Sequence, residues 1–272
     1  NFPEKINAIS DYDWKENISS FKNKVGITFF STPQNKGDLE ILQRVGVPAI
    51  KIGSDDFTNL PLIRDYKETG LPIILSCGMS NLSEVHQALQ AANWFEGYPV
   101  ALLLCTSQYP TPPEDVNVLK LKTLQNSFPG LLTGFSDHTE GHICSCIAVS
   151  MGASIIEKHI TLDKSMKGPD HSSSLLSSEL SQFVYNLNGT SISKNTKKRN
   201  LTYNEKKLLQ TAKKSLYYSS NLQKNHILKK ENIIPLRPFN NGICPSKFKL
   251  VLGKKLIRDV ENGKKLSVND FV

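Results

Sequence analysis

Short apolar runs of strand character alternate with helical patterns along residues 26–161, and this alternation limits the choice of fold. The runs are GITFFS (26–31), AIKIGS (49–54), PIILSCG (72–78), VALLLCTS (100–107), LLTGFSDH (131–138) and ASIIEKHIT (153–161). Between them, apolar residues recur every three or four positions, as in helices with one buried face. These stretches are GDLEILQRVG, LPLIRDYKETG, LSEVHQALQAAN, EDVNVLKLKTLQNSF and HICSCIAVSMG. Strands that are apolar on both faces and alternate with helices form a parallel sheet, so we predict an α/β fold.

Polar side chains collect at the same end of each predicted strand. They follow the strands as Ser31-Thr32-Pro33, Lys51 to Asp56, Ser76-Cys77-Gly78, Thr106 to Tyr109, Ser136-Asp137-His138 and Glu157-Lys158-His159. An open doubly wound sheet binds ligands mainly at one switch point, whereas a closed barrel carries its chemistry at the ends of all its strands. We therefore predict a TIM (β/α)8-type barrel of which six of the eight units are visible.

The last third of the chain differs in charge and in pattern. Residues 1–190 contain 14 Lys/Arg and 20 Asp/Glu, whereas residues 191–272 contain 19 and 5. We predict a barrel domain over 1–190, a linker and helix over 191–215, and a small β-rich domain over 216–272 with Gly and Asn turns. A basic segment can bind nucleic acid, but these lysines are not interleaved with stacking aromatic residues, so a solvated lysine-rich surface is the preferred interpretation.

Cysteine use and hydropathy indicate the compartment. The five cysteines form an odd number, include no CxxC pair and mostly fall within apolar patterns. No apolar run is long enough for a membrane-spanning helix, and the first residues lack a signal-peptide pattern. We expect a cytoplasmic protein whose thiols are reduced.

Two histidines fall at the ends of neighbouring predicted strands, His138 in SDHT and His159 in EKH. Taken alone, either one is more often a hydrogen-bonding residue than a metal ligand. Two neutral imidazoles that converge, with Asp137, Glu157 and Asp170 nearby, favour a divalent metal site. Because two protein ligands leave coordination positions open, the site would be of the catalytic kind.

Lysines and hydroxyls at the strand ends indicate an anion site. Lys51 and Lys158 lie at strand ends, and the hydroxyls of Thr32, Ser54, Ser76 and Ser136 each follow a different strand. Ammonium groups with hydroxyls and glycine amides bind phosphate and carboxylate. A Schiff-base role for Lys51 is the competing interpretation, ranked lower because a metal-assisted site makes an imine unnecessary.

A series of motifs then resembles one enzyme family. KIGS, ILSCGM, YPTPPEDVN, GFSDHT, IIEKHITLD, GPDH and RPFNNGICP occur here in the order seen in the N-acetylneuraminate (sialic acid) synthase family. The resemblance implies a TIM barrel followed by a small antifreeze-like (SAF) domain. It implies a transferase that condenses phosphoenolpyruvate with N-acetylmannosamine to give N-acetylneuraminate and phosphate. It also implies a divalent metal, Mn²⁺ first and Mg²⁺ or Co²⁺ as alternatives, and a domain-swapped homodimer.

The resemblance also implies roles for individual residues. His138 and His159 match the metal ligands of the family, and Glu157 matches an acid near them. With Lys51 and Asp56, Glu157 is expected to be catalytic. The positions that match phosphoenolpyruvate-binding residues are Thr32, Lys51, Ser54, Ser76 and Ser136. The positions that match contacts to the amino sugar are Asp56, Tyr109, Asp170 and Arg237, the last reaching the partner subunit's site from the SAF domain.

The chain departs from the family pattern in three respects. Cys77 stands where a threonine is common, and Ser107 stands where an asparagine is often found. The family's first-strand E-I-G-x-N-H-x-G motif and second-strand K-x-Q motif have no counterpart, so we expect an N-terminally truncated member with little activity of its own. The alternatives are a synthase of a legionaminic- or pseudaminic-type nonulosonic acid and a truncated non-catalytic remnant. The GPDHSSS stretch looks more like the neuraminate and legionaminate branch than the pseudaminate branch.

Overall fold

A computed structural model describes residues 24–194 and 200–272 of the chain. The chain divides between residues 195 and 196 into two compact units. The first unit contains a parallel sheet of β1 (Ile50–Ile52), β2 (Ile73–Ser76), β3 (Val100–Cys105), β4 (Leu132–Asp137) and β5 (Ile155–Lys158). These strands are neighbours in chain order, and every pairing is parallel. The predicted α/β class, with its sheet arranged as part of a barrel wall, is confirmed.

Helices connect these strands, as the apolar periodicity predicted. They are α1 (Lys36–Val45), α2 (Leu60–Lys67), α3 (Leu82–Ala91), α4 (Pro113–Val116), α5 (Lys120–Ser127), α6 (Ile143–Ser150) and α7 (Leu180–Lys194). The helices bury their apolar faces against the sheet around Ile50, Ile63, Ile73, Ala88 and Leu102, all of which are fully buried. Burial of a side chain such as Ile or Leu stabilises the fold by about 1.5–3 kcal/mol.

Asparagine caps fix the entry into three of these helices. The side-chain oxygens of Asn35, Asn59 and Asn81 each accept a hydrogen bond from a backbone N–H in the first turn of α1, α2 and α3. Such caps typically contribute about 1 kcal/mol each. They also anchor the loops that leave the carboxyl ends of the strands, where the polar side chains lie.

The predicted strand over residues 26–31 is not formed. One backbone hydrogen bond joins this segment to β1 within the described residues, from the Lys51 N–H to the Ser31 carbonyl at 3.2 Å. Ile27 and Phe30 are 58% and 40% exposed, so the segment lacks the two buried faces that its pattern indicated. An apolar run without a regular ladder is not a strand.

Three other predicted elements differ in extent. The helix predicted over 114–128 breaks into α4 and α5, because Asn117 adopts the left-handed conformation at φ 44°. The last predicted strand of the barrel breaks at His159, and its second part, β6 (Ile160–Thr161), pairs with β7 (Leu175–Leu176). Helix α7 continues to Lys194, into the stretch predicted as a linker.

The second unit has its own core. It contains α8 (Tyr203–Ala212), β8 (Ser215–Tyr218), β9 (Ile233–Leu236) and α9 (Phe248–Val251), and β8 pairs with β9 in antiparallel fashion. Short turns of 3₁₀ helix lie at Lys230–Asn232, Pro245–Lys247 and Val268–Asp270 in this unit, and at Trp94–Glu96 in the first. The apolar core of the second unit includes Leu216, Tyr218 and Leu256, which are fully buried.

All five cysteines are free, as predicted, with Cys77, Cys105 and Cys144 buried. Across the part of the chain that the structure describes, none of the helices has the length and apolar character needed to cross a membrane.

Candidate active site

The carboxyl ends of the strands in the first unit surround a cavity of about 730 Å³. Barrel geometry places side chains from every strand on this one rim. The residues selected from the sequence that line it are Thr32, Lys51, Ser54, Ser76, Tyr109, Ser136, His138, Glu157, Lys158, His159 and Asp170. The structure therefore brings together almost all of the site residues predicted for the first domain.

Lys51 supplies a buried cation to the cavity. Lys51 is the middle residue of β1. Its ammonium group donates to Ser76 Oγ at 2.8 Å and to the carbonyl of Ile52 at 3.1 Å. The same ammonium lies 3.6 Å from Glu157 Oε2, which is an ion pair longer than a hydrogen bond. Two short contacts thus hold the cation in place, and its charge can still attract an anionic ligand.

Glu157 is held from the neighbouring strand. Ser136 and Glu157 are register partners in β4 and β5, and Ser136 Oγ donates to Glu157 Oε1 at 2.5 Å. The carboxylate therefore has a hydroxyl on one oxygen and the Lys51 ammonium near the other. This arrangement fixes an acid group at the edge of the anion site.

The hydroxyls of Ser54 and Ser107 lie close to the backbone of Gly78. The Gly78 N–H donates to Ser54 Oγ at 3.0 Å, which leaves the Ser54 O–H free to donate elsewhere. A Cβ at position 78 would lie 2.7 Å from Ser54 Oγ and closer still to Ser107 Oγ, so a side chain there would displace both hydroxyls. Among the described residues, no hydrogen-bond partner accepts or donates at the buried Ser107 Oγ.

The rings of His138 and His159 lie beside each other, with centroids 5.2 Å apart. His138 Nδ1 is 2.9 Å from the carbonyl of Thr106, and because a carbonyl only accepts, this nitrogen carries the proton. Nε2 is then left with its lone pair. Burial lowers the pKa of His138, and the nearby His159 adds to this shift, so the ring is neutral at pH 7.

Tyr109 and Asp170 complete the side of the cavity around the histidines. The Tyr109 ring lies 4.1 Å from the ring of His138 and 5.9 Å from that of His159, centroid to centroid. Burial raises the pKa of Tyr109 to about 12, so its hydroxyl is protonated at pH 7. Asp170 Oδ2 lies 3.9 Å from His159 Nδ1. A neutral phenol and a carboxylate there suit recognition of hydroxyl or amide groups.

Lys158 borders the cavity, but its ammonium group does not contribute to the anion site. This differs from the sequence-based expectation. Its buried ammonium forms an ion pair of 3.3 Å with Asp137 and donates to the carbonyl of Thr139. Burial lowers the pKa of Lys158, and Asp137 opposes that shift. The reason for the difference is the alternation of side chains along β5, which turns Lys158 away from the side that Glu157 occupies.

Two predicted site residues are not among those that line this cavity of the first unit. Asp56 does not line the cavity, because its carboxylate accepts a hydrogen bond from the side chain of Asn59 at the start of α2, and Asp55 lines the cavity instead. Arg237 belongs to the second unit, where it is exposed. The other lining residues are Gln34, Gly53, Asp55, Met79, Cys105 and Ser107, of which the sequence analysis named Ser107 only as a departure from the family pattern. Of these, Cys105 and Ser107 end or follow β3 and carried the same strand-end signal as Tyr109.

The donor set at the histidines fits a divalent cation. The two imidazole rings lie beside each other, and the Thr106 carbonyl fixes His138 in the tautomer whose Nε2 lone pair is available to a metal. Within residues 24–194 and 200–272, they are not joined by a third His, Cys, Asp or Glu in a cluster that could hold a metal. A cation there would keep positions for water or substrate oxygens, as a catalytic metal does.

Comparison with known proteins assigns the family. The sequence model described as the NeuB family matches residues 6–199. The chain belongs to the NeuB family. A second model, described as the SAF domain, matches residues 213–272 of this NeuB-family chain. The predicted resemblance to the sialic acid synthases, with a C-terminal SAF domain, is confirmed.

Relatives of this NeuB-family protein include named synthases. It is 34% identical to the N,N'-diacetyllegionaminic acid synthase of Legionella pneumophila, over 90% of this chain and 70% of that protein. It is 30% identical to the pseudaminic acid synthase of Helicobacter pylori, over 97% and 77%. Among solved structures, it is similar to N-acetylneuraminic acid synthetase from Leptospira borgpetersenii, with 31% identity, a TM-score of 0.65, and coverage of 72% and 69%.

Proposed function

We propose that this chain is a nonulosonic acid synthase that condenses phosphoenolpyruvate with N-acetylmannosamine and releases N-acetylneuraminate and phosphate. One observation carries the proposal: a buried ammonium with several hydroxyls lies in the same cavity as two converging imidazoles. An anion site beside a metal-type donor set is what a reaction between an enol phosphate and an aldehyde needs. The family membership supports the same reaction class.

The first part of the proposal concerns phosphoenolpyruvate. Lys51 and the hydroxyls of Thr32, Ser54, Ser76 and Ser136 would bind its phosphate and carboxylate, since all line the cavity. The buried position of Lys51 strengthens such contacts, because charges interact more strongly where water is excluded. These groups orient the enol so that its C3 carbon faces the histidine side of the cavity.

The second part concerns the metal and the aldehyde. His138 and His159 would hold a divalent cation, Mn²⁺ in the first instance, with Mg²⁺ and Co²⁺ as alternatives. When bound, the cation supplies Lewis acidity towards the aldehyde oxygen of the open-chain sugar. Tyr109 and Asp170 would contact the hydroxyl and amide groups of that sugar, because they border the same two rings.

The covalent steps balance without a further reactant. A bond forms between C3 of phosphoenolpyruvate and the aldehyde carbon as the C2=C3 and aldehyde C=O π bonds open, and a water then adds at C2. One proton of that water ends on the former aldehyde oxygen, which becomes a hydroxyl. The other leaves with the phosphate, as the C2–O bond to the phosphate breaks and a ketone forms at C2. Glu157, held in place by Ser136, is the carboxylate we assign to move the water proton.

The third part concerns the amino sugar and the assembly. We propose that Arg237 of the SAF domain contacts the N-acetyl group in the site of the partner subunit of a domain-swapped homodimer. Its exposed guanidinium is free to face another surface in that way. Asp56 stays a proposed sugar contact and catalytic group only if the loop after β1 rearranges, because its carboxylate is bonded to Asn59.

The runner-up is the same chemistry on a legionaminic-type precursor. It is favoured by the 34% identity to a legionaminic acid synthase over 90% of this chain. A pseudaminic-type precursor is the next alternative, given the match to the Helicobacter pylori protein.

The experiment is phosphate release with phosphoenolpyruvate, Mn²⁺ and a panel of sugars. N-acetylmannosamine and precursors of the legionaminic and pseudaminic types would be compared by kcat/KM, with N-acetylglucosamine as the control epimer. The proposal expects release only with an acceptor aldehyde, and the highest kcat/KM with N-acetylmannosamine. Release without an acceptor would refute a synthase activity. Absence of release with the whole panel would refute a synthase activity of this chain and favour the non-catalytic alternative.

A further inference from the structure

A buried ion pair lies one residue before each of the two histidines. Asp137 and Lys158 are register partners in β4 and β5, and Lys158 Nζ lies 3.3 Å from Asp137 Oδ2. Their side chains are 0% and 4% exposed, respectively. His138 and His159 follow directly in the sequence, so the ion pair joins the two strands at the last step before the imidazoles.

The carboxylate of the pair has all its acceptor positions occupied. Asp137 Oδ1 accepts from the Thr139 N–H at 2.8 Å and from Thr139 Oγ1 at 2.7 Å, and Oδ2 accepts from Ser145 Oγ at 2.5 Å. The Lys158 ammonium also donates to the Thr139 carbonyl. Because Ser145 lies in α6, the carboxylate ties β4, β5 and that helix together.

The ion pair is the middle one of three successive residue pairs across β4 and β5. Ser136 and Glu157 are paired on the cavity side, and His138 and His159 lie beside each other at the same cavity. Consecutive side chains of a strand point to opposite faces. Asp137, which lies between Ser136 and His138 in the sequence, is therefore directed away from the cavity. A slip of one residue between β4 and β5 would separate Asp137 from Lys158 and displace His159 from His138.

We infer that Asp137 and Lys158 form a positioning pair that sets the separation and direction of the His138 and His159 imidazoles for one divalent cation. The inference rests on the metal site of the proposed function. Its physical basis is that a buried ion pair adds little net stability over an apolar pair of the same volume. Removal of either partner alone is strongly destabilising, because it leaves an unpaired buried charge. The pair therefore enforces one register of the two strands.

The test measures Mn²⁺ binding to the full chain by titration calorimetry, with no substrate present. Asp137→Asn and Lys158→Met are each expected to weaken Mn²⁺ affinity by about 10–100-fold, as loss of groups that orient metal ligands does. Ile63→Ala is the matched control, since Ile63 is fully buried on α2 away from the cavity. That control is expected to lower the unfolding temperature and leave the affinity unchanged.

The double variant Asp137→Asn/Lys158→Met distinguishes a pair from two separate effects. Groups that act as one unit are not additive, so the double variant should lose no more affinity than the single ones. Ser145→Ala removes one hydrogen bond from Asp137 and leaves the ion pair intact, so it keeps the test open if the charge variants fail to fold. It is expected to weaken Mn²⁺ binding in the same direction but less.

The outcomes separate this inference from the proposed reaction. Weaker Mn²⁺ binding in the variants supports the positioning role whether or not the chain releases phosphate from phosphoenolpyruvate. Folded variants with unchanged Mn²⁺ affinity overturn the positioning role even if the unsubstituted chain is an active synthase. Absence of Mn²⁺ binding in the unsubstituted chain overturns it as well.

Discussion

The rings of His138 and His159 lie 5.2 Å apart at the ends of neighbouring parallel strands, and the Thr106 carbonyl fixes the proton of His138 on Nδ1. Two imidazoles at this spacing follow from the pairing of β4 with β5, since each histidine comes directly after its strand. The metal site we propose is therefore built into the sheet, which makes it rigid and sensitive to the substitution of either ring.

We predict that His138→Ala and His159→Ala each lower Mn²⁺-dependent phosphate release by at least about 10²–10³-fold, because the aldehyde loses its electrophilic stabilisation. His142→Ala is the matched control, since His142 is exposed at the start of α6 and does not line the cavity. Full activity of either site variant after chelation and return of Mn²⁺ would contradict the assignment.

We predict that Lys51→Met raises the KM for phosphoenolpyruvate. Hydrogen bonds to charged groups contribute about 1.5–3 kcal/mol, which corresponds to about 10–100-fold in binding. Lys120→Met is the control, because Lys120 is exposed and lies in the neighbouring cavity rather than this one. Steady-state kinetics with saturating sugar measure the effect, and an unchanged KM for Lys51→Met would place the anion elsewhere. Retention of activity by Lys51→Met at high phosphoenolpyruvate would also exclude an obligatory Schiff base.

The sequence was most informative at the strand ends. Lys51, Ser76 and Ser136 could be assigned to one rim because parallel strands place their carboxyl ends on the same side of a barrel. Period-two alternation along β5 also contained the orientation of Lys158, since a residue between Glu157 and His159 must face the other way. The EKH pattern therefore predicts an orientation for Lys158 that its charge alone does not indicate.

Other features depend on local backbone geometry that a single sequence does not carry. Whether Asp55 or Asp56 reaches the cavity is decided by the turn after β1 and by the hydrogen bond of Asp56 to Asn59. The break at Asn117 depends on one left-handed residue inside an otherwise continuous apolar pattern. Segment 26–31 has strand composition, but pairing with β1 is a tertiary property, and composition alone does not determine it.

We predict unequal reactivity of two thiols in the folded chain. Burial, the largest cause, raises the pKa of Cys77 to about 12, whereas the hydrogen bond from Ser246 lowers the pKa of Cys244. Since the thiolate is the reactive form, Cys244 should be alkylated by iodoacetamide at pH 8 at least about tenfold faster than Cys77. Peptide mass spectrometry at short times measures both rates. Denatured protein, in which both thiols react alike, is the control, and equal rates in the folded chain would contradict the prediction.

We predict that Arg237 acts on the site of a partner subunit. Arg237 is exposed in the second unit, and His138 lies in the first, so substitutions at the two positions damage different parts of a swapped site. A heterodimer of an Arg237→Ala chain and a His138→Ala chain would contain one site with both groups intact. Mixed chains should therefore recover phosphate release that neither variant shows alone.

The control for this mixture is a pair in which both lesions fall in the first unit. A heterodimer of His138→Ala and Lys51→Met chains has a damaged cavity in each subunit, whichever SAF domain covers it, so it should recover no activity. Heterodimers would be isolated with two different affinity tags, and their composition would be checked by native mass spectrometry. If verified Arg237→Ala/His138→Ala heterodimers are as inactive as the control pair, Arg237 acts within its own subunit or not at all. If both mixtures recover activity, the lesions in the cavity are incomplete, and the action of Arg237 across the dimer is not supported.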